Sequence, residues 1–238
     1  MLDLEAISTY RGPAQILQRL SLTVKERESV CLVGRNGAGK TTTIDSIIGL
    51  LPVRSGKITF DGQLISRWPA HERARRGIGY APEDAGLFPD LTVAENIELC
   101  RWLAQSSRRE GKASATDTDE RIFAVFPEVK QFLQRRALYL SGGEKKMVAI
   151  ARAMALAPSI LLLDEPFEGL APVVVTRFID AVKKIKEMGI SILIAESNLM
   201  NATRVCDRLY AIDRGEIIYE GDPRRVFDNE SVMQTVRG

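Results

Sequence analysis

One glycine-rich segment constrains the fold of this 238-residue chain more than any other. Residues 34–42 read Gly-Arg-Asn-Gly-Ala-Gly-Lys-Thr-Thr. They follow an apolar run at 29–33 and precede helical spacing of apolar residues at 43–51. A buried strand, this loop and a helix form the context in which the spacing predicts a phosphate-binding loop. Its backbone N–H groups and the positive end of the helix would bind phosphate oxygens. The sequence therefore predicts an α/β fold that binds a nucleoside triphosphate.

The last residues of this segment predict how the triphosphate is held. Lys40 is expected to reach the β- and γ-phosphates, and the Thr41 hydroxyl is expected to ligate Mg²⁺. The remaining residues of the segment complete the predicted nucleotide site: Gly34, Arg35, Asn36, Gly37, Ala38, Gly39 and Thr42.

A tyrosine near the N terminus is a candidate for holding the base. Residues 2–7 and 16–24 alternate as strands, and Tyr10 is expected in the loop between them. An aromatic face gives adenine a surface on which to stack, whereas ordinary packing at a sheet edge explains such a tyrosine as well. Spacing alone leaves both interpretations open.

Charge and cysteine content exclude several classes of protein. The formal charge of +2 indicates no strongly basic surface, so nucleic acid is not an expected partner. The three cysteines are far apart in the sequence, which favours reduced thiols over a zinc site or a disulfide framework. Residues 1–5 do not read as a signal peptide, and no apolar run approaches the ~20 residues of a membrane-spanning helix. A soluble chain is expected.

A helical section interrupts the α/β pattern. Thr92 is predicted to cap a helix with Glu95 as its capping-box partner. Residues 105–120 are polar and predict an exposed loop, after which helical spacing returns. We expect one domain over residues 1–238, with a helical lobe at about 87–155 inserted into a core of 1–86 and 156–238.

A short basic helix is predicted at residues 68–76. His71 is the only histidine of the chain, and on this charged helix it is expected to be a bystander. The arginines of the helix are expected to form a solvated face: Arg73, Arg75 and Arg76.

Two further segments carry groups that suit a phosphorylated ligand. Ser141–Glu144 opens a helix whose free N–H groups, hydroxyl and dipole favour an anion, although a plain helix cap also explains it. Ile160–Asp164 is continuously apolar, as in strands buried inside a parallel sheet. Asp164 at its end fits an outer-shell Mg²⁺ partner, where α/β sheets bind ligands. Glu165 fits a base or water-orienting residue for attack on a γ-phosphate.

Strand and hairpin signals return towards the C terminus. Residues 191–197 predict another buried strand, followed by a helix at about 198–205. Residues 208–221 predict a hairpin that turns at Asp213-Arg214-Gly215, and a short helix is expected around 224–227.

Taken together, residues 34–42, Leu140–Glu144 and Ile160–Pro166 resemble the nucleotide-binding subunits of ATP-binding-cassette (ABC) transporters over essentially the whole chain. A phosphate loop alone fits many NTPases, whereas the Leu-Ser-Gly-Gly-Glu signature before an Asp-Glu strand is specific to this family. The resemblance implies a mostly parallel core sheet, an N-terminal antiparallel β subdomain and an inserted α-helical lobe. It also implies ATP and Mg²⁺ as cofactors, and ATP hydrolysis coupled to transport.

The resemblance implies a role for each matching position. Tyr10 would stack on adenine, Asp164 would be the Walker B acid and Glu165 the catalytic glutamate. Ser141, Gly142, Gly143 and Glu144 would bind the ATP held by the opposite subunit, so that two ATP molecules lie in a head-to-tail dimer. Residues 169–172 would belong to the loop that crosses that interface.

The resemblance also implies partners and a location. A second ABC ATPase subunit would complete a homodimer or heterodimer, and a helix from one of two transmembrane permease subunits would contact residues 83–96. The chain would then be cytoplasmic and peripheral on the inner face of the cell membrane. Residues 82–93 and 168–172 look most like the shorter ATPase subunit of branched-chain amino acid importers, with a solute-binding protein as an indirect partner. Importers of urea, amides or other small solutes share the pattern.

Two positions depart from the family pattern. Glu83 stands where the family usually has a glutamine that senses Mg²⁺; a glutamate can still contact the metal, but it adds a charge. Ser197 stands where a switch histidine usually follows the last glutamate of a strand, and serine has a shorter reach. By analogy with other transition-state donors, that loss costs about 10²–10³-fold in rate. We predict slow turnover at this subunit's own site, with a partner supplying the main hydrolytic site.

Two alternatives to an energising subunit remain. One is a nucleotide-dependent clamp that has largely lost hydrolysis, which Ser197 favours and which Glu165 and Lys40 oppose. The other is a soluble ABC protein of DNA repair or translation. Such proteins usually carry tandem cassettes or coiled-coil insertions, and the near-neutral charge also opposes this class.

Overall fold

The computed structural model describes residues 1–105 and 115–237, which fall into two compact units. Unit 1 contains Met1–Arg73 and the chain from Ser191 onwards, and unit 2 lies within Ala74–Ile190. The division into a core of 1–86 and 156–238 and a lobe of 87–155 has different boundaries, and it stays a prediction.

The first part of unit 1 contains five strands, a nine-residue helix after the glycine-rich loop, and the start of a second helix. Its elements are β1 (Leu2–Arg11), β2 (Ala14–Val24), β3 (Ser29–Val33), α1 (Lys40–Ile48), β4 (Val53–Phe60), β5 (Gln63–Leu64) and α2 (Ala70–Arg76), the last of which ends in unit 2.

Unit 2 is mainly helical within the described residues. Its elements are β6 (Ile78–Ala81), α3 (Val93–Gln105), α4 (Ala115–Val125), α5 (Gly142–Met154), β7 (Ile160–Asp164) and α6 (Pro172–Glu187), with 3₁₀ turns at Pro127–Phe132 and Ala137–Tyr139. The parallel strands β6 and β7 pair with each other, and α5 packs against both. The helix α4 packs on α6, where the rings of Phe126 and Phe178 lie 5.6 Å apart.

The chain returns to unit 1 for its last elements. These are β8 (Ser191–Glu196), α7 (Leu199–Ala202), β9 (Arg208–Asp213), β10 (Glu216–Gly221), a 3₁₀ turn at Val226–Asp228 and α8 (Glu230–Arg237).

Unit 1 contains two kinds of sheet. The strands β2, β1, β4 and β5 form a sheet in that order, in which neighbouring strands are antiparallel. The strand β3 lies between β8 and β9 and is parallel to both, while β10 pairs antiparallel with β9. Every residue of β3 and β8 is buried, which explains why both strands read as continuous apolar runs. The glycine-rich loop therefore leaves the carboxyl end of a buried parallel strand.

Three local expectations from the sequence are wrong. The strand β1 continues to Arg11, so Tyr10 lies in a strand rather than in a loop. Residues 115–120 belong to α4, because Ile122, Val125 and Phe126 bury one face of a helix that starts earlier; residues 106–114 lie outside the described part. Arg73 is 2% exposed instead of solvated.

Arg73 is buried because it caps the C-terminal end of α1. Its guanidinium donates to the carbonyl oxygens of Ser46 (2.7 Å), Ile47 (2.8 Å), Ser66 (2.9 Å) and Trp68 (2.9 Å). Carbonyls at a helix end lack intrahelical donors and carry the negative end of the helix dipole. Burial lowers the pKa of Arg73 to about 10, which still leaves the side chain charged at neutral pH.

Candidate nucleotide-binding and hydrolysis site

In unit 1, the glycine-rich loop joins β3 to α1 and is closed by its own lysine. Lys40 is 5% exposed, and its Nζ donates to the carbonyl oxygens of Gly34 (2.7 Å) and Arg35 (3.1 Å). Gly39, which precedes the helix, has a φ of 116°, and a Cβ there would lie 2.9 Å from the Leu17 side chain. A buried ammonium group is thus held at the positive end of a helix, as a phosphate site requires.

The first turn of α1 presents hydroxyl groups. Thr41 is half-buried and Thr42 is buried. The Oγ1 of Thr43 donates back to the carbonyl oxygen of Gly39 at 2.9 Å, which ties this turn to the loop. In the described part of the chain, no three His, Cys, Asp or Glu side chains group into a metal cage.

The turn between β9 and β10 braces the glycine-rich loop, which sequence patterns did not indicate. The N–H of Gly215 donates to the carbonyl oxygen of Ala38 at 2.8 Å, and the carbonyl of Gly215 accepts from the N–H of Gln18 at 3.0 Å. Gly215 has a φ of 83°, and a Cβ there would overlap the carbonyl oxygen of Ile16. Only the turn itself was predictable, from Asp213-Arg214-Gly215.

Tyr10, the expected base-stacking residue, is fixed at the end of β1. Its hydroxyl donates to Oε1 of Gln15 at 3.0 Å, and Gln15 in turn donates to the carbonyl oxygen of Leu17. The guanidinium of Arg54 lies 4.9 Å from the centre of the Tyr10 ring, so a cation covers part of one face. The ring is positioned and half-buried, and its contact with adenine stays a prediction.

Ser197 follows β8 beside the glycine-rich loop. Its N–H and that of Asn198 both donate to Oε1 of Glu196, at 3.0 and 2.9 Å. Glu196 is 1% exposed, and its carbonyl oxygen accepts from the N–H of Gly34 at 3.4 Å. The buried glutamate therefore shapes the turn in which Ser197 occupies the switch-histidine position, and the role of Ser197 in catalysis stays a prediction.

In unit 2, β7 ends in the two predicted carboxylates. Asp164 is 2% and Glu165 4% exposed. Glu165 has a φ of 45°, a left-handed conformation that costs a residue other than glycine about 1–3 kcal/mol. Its carbonyl oxygen accepts a hydrogen bond from Nζ of Lys146 on α5. Strain of this kind is typical of residues whose orientation matters for function.

Glu83 belongs to an acidic group with Glu168 and Glu165, which we call the carboxylate cluster. Burial raises the pKa of Glu83, as do the charge and hydrogen bond of Glu168 and the charge of Glu165, while Lys146 opposes these effects. A hydrogen bond between two carboxyl groups requires a proton. The surroundings of Glu83 are therefore acidic and oppose its negative charge. The sequence analysis gave no role to Glu168.

The loop that contains Glu83 is held by two side chains that sequence reasoning missed. Arg152 on α5 donates to the carbonyl oxygens of Gly86 (2.6 Å) and Ala85 (3.2 Å). Asn96, fully buried on α3, accepts from the N–H of Phe88 at 2.9 Å and donates to its carbonyl oxygen at 3.1 Å. These bonds connect residues 85–88 to the helices on either side.

The predicted anion-binding segment at the start of α5 forms a capping box. The Oγ of Ser141 accepts from the N–H of Glu144 at 3.4 Å, and Oε2 of Glu144 accepts from the N–H of Ser141 at 2.7 Å. Arg135 contacts the same carboxylate at 3.2 Å. A Cβ at Gly142 would meet nothing within 4 Å, so this turn faces open space. The binding of a second ATP by Ser141, Gly142, Gly143 and Glu144 stays a prediction.

Comparison with known families decides how this geometry is interpreted. A family model described as ABC transporter matches residues 17–168. The chain belongs to the ABC transporter family. As a member, it is an ABC-type ATPase and an ATP-binding subunit that uses ATP with Mg²⁺. Within residues 1–105 and 115–237, no helix has the length and apolar character needed to span a membrane.

Two curated relatives cover almost the whole chain. The lipopolysaccharide export system ATP-binding protein LptB of Haemophilus influenzae is 39% identical over 242 residues, which span 100% of this chain and 97% of that protein. The high-affinity branched-chain amino acid transport ATP-binding protein BraG of Pseudomonas aeruginosa is 31% identical over 238 residues, with 100% of both chains covered.

Solved structures show that the chain has the ABC cassette fold. The ADP conformation of MJ1267, an ATP-binding cassette of an ABC transporter, superposes with a TM-score of 0.84 at 28% identity, covering 100% of this chain and 98% of that one. The dimeric post-hydrolysis state of the cassette MJ0796, bound to ADP and Pi, gives a TM-score of 0.80 at 27% identity, covering 94% and 99%. The α/β fold, antiparallel β subdomain and helical lobe expected from the sequence are confirmed.

Proposed function

We propose that this chain energises a membrane transporter as one of two ATPase subunits, and that it binds ATP at residues 34–42 of unit 1. The observation that carries the proposal is Lys40, a buried ammonium held by the carbonyl oxygens of Gly34 and Arg35 at the N-terminus of α1. There it would meet the β- and γ-phosphates. Tyr10 would stack on the adenine ring.

Individual side chains are assigned roles in hydrolysis. We propose that Glu165 orients and deprotonates the attacking water, because its backbone is fixed by Lys146 and its side chain is buried. Thr41, Asp164 and Glu83 are proposed ligands or outer-shell partners of Mg²⁺, since all three offer the hard oxygen donors that this ion prefers. Bound Mg²⁺ would neutralise charge on the phosphates.

Turnover at this site is proposed to be slow. Ser197 cannot supply an imidazole to the γ-phosphate, which removes one positioned transition-state group. The departure at Glu83 is expected to matter less, because a glutamate can still contact Mg²⁺ through a carboxylate oxygen. The partner ATPase would then perform most of the hydrolysis, and ATP-driven dimer closure would be the main task of this subunit.

The proposed partners are a second ATPase subunit and two permease subunits. The dimeric structure of the cassette MJ0796 and the structure of cbiO1, which is part of the ABC transporter complex cbiONQ, support association of such cassettes with one another and with other subunits. In unit 2, an exposed apolar surface at and beside residues 83–96 suits contact with a helix of the permease. It includes Phe88, Leu138 and Tyr139, which are 54%, 54% and 67% exposed, and the N–H of Leu138 bonds to the carbonyl oxygen of Pro89. This would keep the chain on the cytoplasmic face of the membrane.

For the cargo, we propose branched-chain amino acids or similar small solutes, imported with the help of a solute-binding protein. Residues 82–93 and 168–172 support this choice, as does the full-length match to BraG. Export of a lipopolysaccharide is the second candidate, and the 39% identity to LptB favours it.

Two experiments test the energising role and the cargo. The first is purification of the tagged chain from solubilised membranes. Recovery of two permeases with Mg-ATP-dependent hydrolysis that Lys40→Ala abolishes supports an energising subunit. Recovery of nucleic acid instead of membrane proteins would contradict it. In a deletion strain, loss of labelled leucine uptake supports import, whereas normal uptake with reduced surface lipopolysaccharide supports the export candidate.

A further inference from the structure

Arg11 is an exposed arginine at the end of β1 that the sequence analysis did not single out. Its side chain is 49% exposed, and it reaches across to the first two turns of α1. The Nε atom donates to Oγ1 of Thr42 at 3.2 Å, and Nη2 lies 2.5 Å from Oδ2 of Asp45. Arg11 thus joins the strand that carries Tyr10 to the helix that follows the phosphate loop.

The bond to Thr42 fixes the direction in which that hydroxyl donates. Two nearby hydroxyls of α1 donate backwards along the helix, Thr43 to the carbonyl of Gly39 and Ser46 to the carbonyl of Thr42. The hydroxyl of Thr42 instead accepts from Arg11. A hydroxyl has one hydrogen, so an oxygen that accepts from a cation presents that hydrogen to another acceptor. At the N-terminal turn of this helix, a phosphate oxygen is such an acceptor.

The ion pair with Asp45 holds Arg11 in this position. The side chain of Asp45 is 12% exposed, and its burial raises its pKa, an effect that the charge and hydrogen bond of Arg11 partly offset. Asp45 also lies on the face of α1 that meets β1, where Thr9 and Ser46 are 2.9 Å apart. Arg11 therefore has one anchoring contact and one contact with a predicted nucleotide-binding residue.

We propose that Arg11 is a positioning residue for the phosphate chain of the nucleotide: it orients the Thr42 hydroxyl towards the phosphates. This inference rests on the proposed ATP site at residues 34–42. It assigns Arg11 to the phosphates rather than to the base, although its neighbour Tyr10 is the candidate for base stacking.

A double-mutant cycle tests the inference on the full chain, with binding of Mg-ATP and of Mg-tripolyphosphate as readouts. Arg11→Ala and Thr42→Val are each expected to raise both dissociation constants about tenfold, as for loss of a charge-assisted bond. The double variant is expected to bind no more weakly than the weaker single variant, because both changes remove the same contact. Lys57→Ala is the control, because it removes a surface charge of the same sheet on β4.

Two further variants separate positioning from stability. Arg11→Lys retains the ion pair but lacks the Nε donor, so it is expected to weaken binding without lowering the melting temperature. Asp45→Asn weakens the ion pair that anchors Arg11 but keeps the arginine itself, so it is expected to lower the melting temperature and to weaken binding less than Arg11→Ala does. Effects of Arg11→Ala and Thr42→Val that multiply, or unchanged binding in both Arg11 variants, would overturn the inference. Absence of Mg-ATP binding in the wild type would instead overturn the proposed function.

Discussion

The phosphate loop of unit 1 and the carboxylate cluster of unit 2 are built from different parts of the chain. Backbone groups shape the loop, through the carbonyls that hold Lys40 and the bonds from Gly215 to Ala38 and Gln18. Charged side chains of Glu83, Glu165 and Glu168 form the cluster, and Glu165 is held in a strained conformation. Damage to the loop should therefore change binding and stability, whereas damage to the cluster should change rate and pH dependence.

The largest expected effect is on the rate. Glu165→Gln keeps the size of the side chain but removes its basicity, so kcat should fall about 10²–10⁴-fold, as for loss of a general base. The dissociation constant for Mg-ATP and the melting temperature should stay within twofold and a few degrees of wild type. ATPase assays of the assembled complex, with Glu187→Gln on α6 as the control, measure the difference. An equally large loss of ATP binding would contradict the division between the two regions.

The next effect is on stability and comes from the loop. Gly215→Ala places a Cβ against the carbonyl oxygen of Ile16 at a φ of 83°, and should lower the free energy of unfolding by about 3 kcal/mol and weaken ATP binding. Gly62→Ala is the matched control, because Gly62 also has a positive φ of 74° but no atom within 4 Å of its added Cβ. That variant should cost about 1 kcal/mol. Equal melting temperatures for the two variants would show that the brace is unimportant.

Ser197 tests the contrast between the phosphate loop and the carboxylate cluster, because it lies in unit 1 but is proposed to act in catalysis. If its missing imidazole slows turnover, Ser197→His should raise kcat about tenfold or more in the complex with unchanged ATP affinity. The ATPase rates of Ser197→His and Glu165→Gln should be measured in the same assay of the assembled complex. Loss of activity in Glu165→Gln together with no change in Ser197→His would show that serine substitutes adequately.

The smallest effect is a shift with pH. The folded protein holds the pKa of Glu83 above its ordinary value, through burial and through the carboxylates of Glu168 and Glu165. The folded state therefore binds more protons than the unfolded state, and this group's contribution to stability falls as pH rises through the raised pKa. Glu168→Gln removes one repelling charge, so it should stabilise the protein at pH 8 by less than about 1 kcal/mol after screening by solvent. Urea unfolding at pH 5 and pH 8 should show a smaller gain at pH 5.

The parts that sequence predicted are those set by short spacing. The glycines and Lys40 of the phosphate loop, the capping box at Thr92, and the hairpin of residues 208–221 each depend on contacts within a few residues. Their residue types have local physical reasons, such as a positive φ or a free N–H at a helix end. The fold class followed from the order of these elements.

The parts that sequence missed depend on contacts between distant residues. Gly215, near the other end of the chain, braces the glycine-rich loop through Ala38. Arg11 reaches Thr42 of α1 from β1, which belongs to the antiparallel sheet and not to the sheet of β3 that leads into α1. Arg73 reads as a surface arginine because its charged neighbours are exposed, yet the open carbonyls of α1 bind it inside the protein. The Gly12-Pro13 turn predicts a loop around Tyr10, but pairing with β2 continues the strand to Arg11.

The hairpin turn at residues 213–215 has a consequence for protein engineering. Arg214 is 91% exposed, so a choice based on accessibility alone would select this turn for an epitope tag or a fluorophore. An insertion there would move Gly215 away from Ala38 and disable nucleotide binding, although no residue of the turn is itself a predicted ligand contact. The turn at Asp61–Gly62, which has open space around its glycine, is the better position for a label.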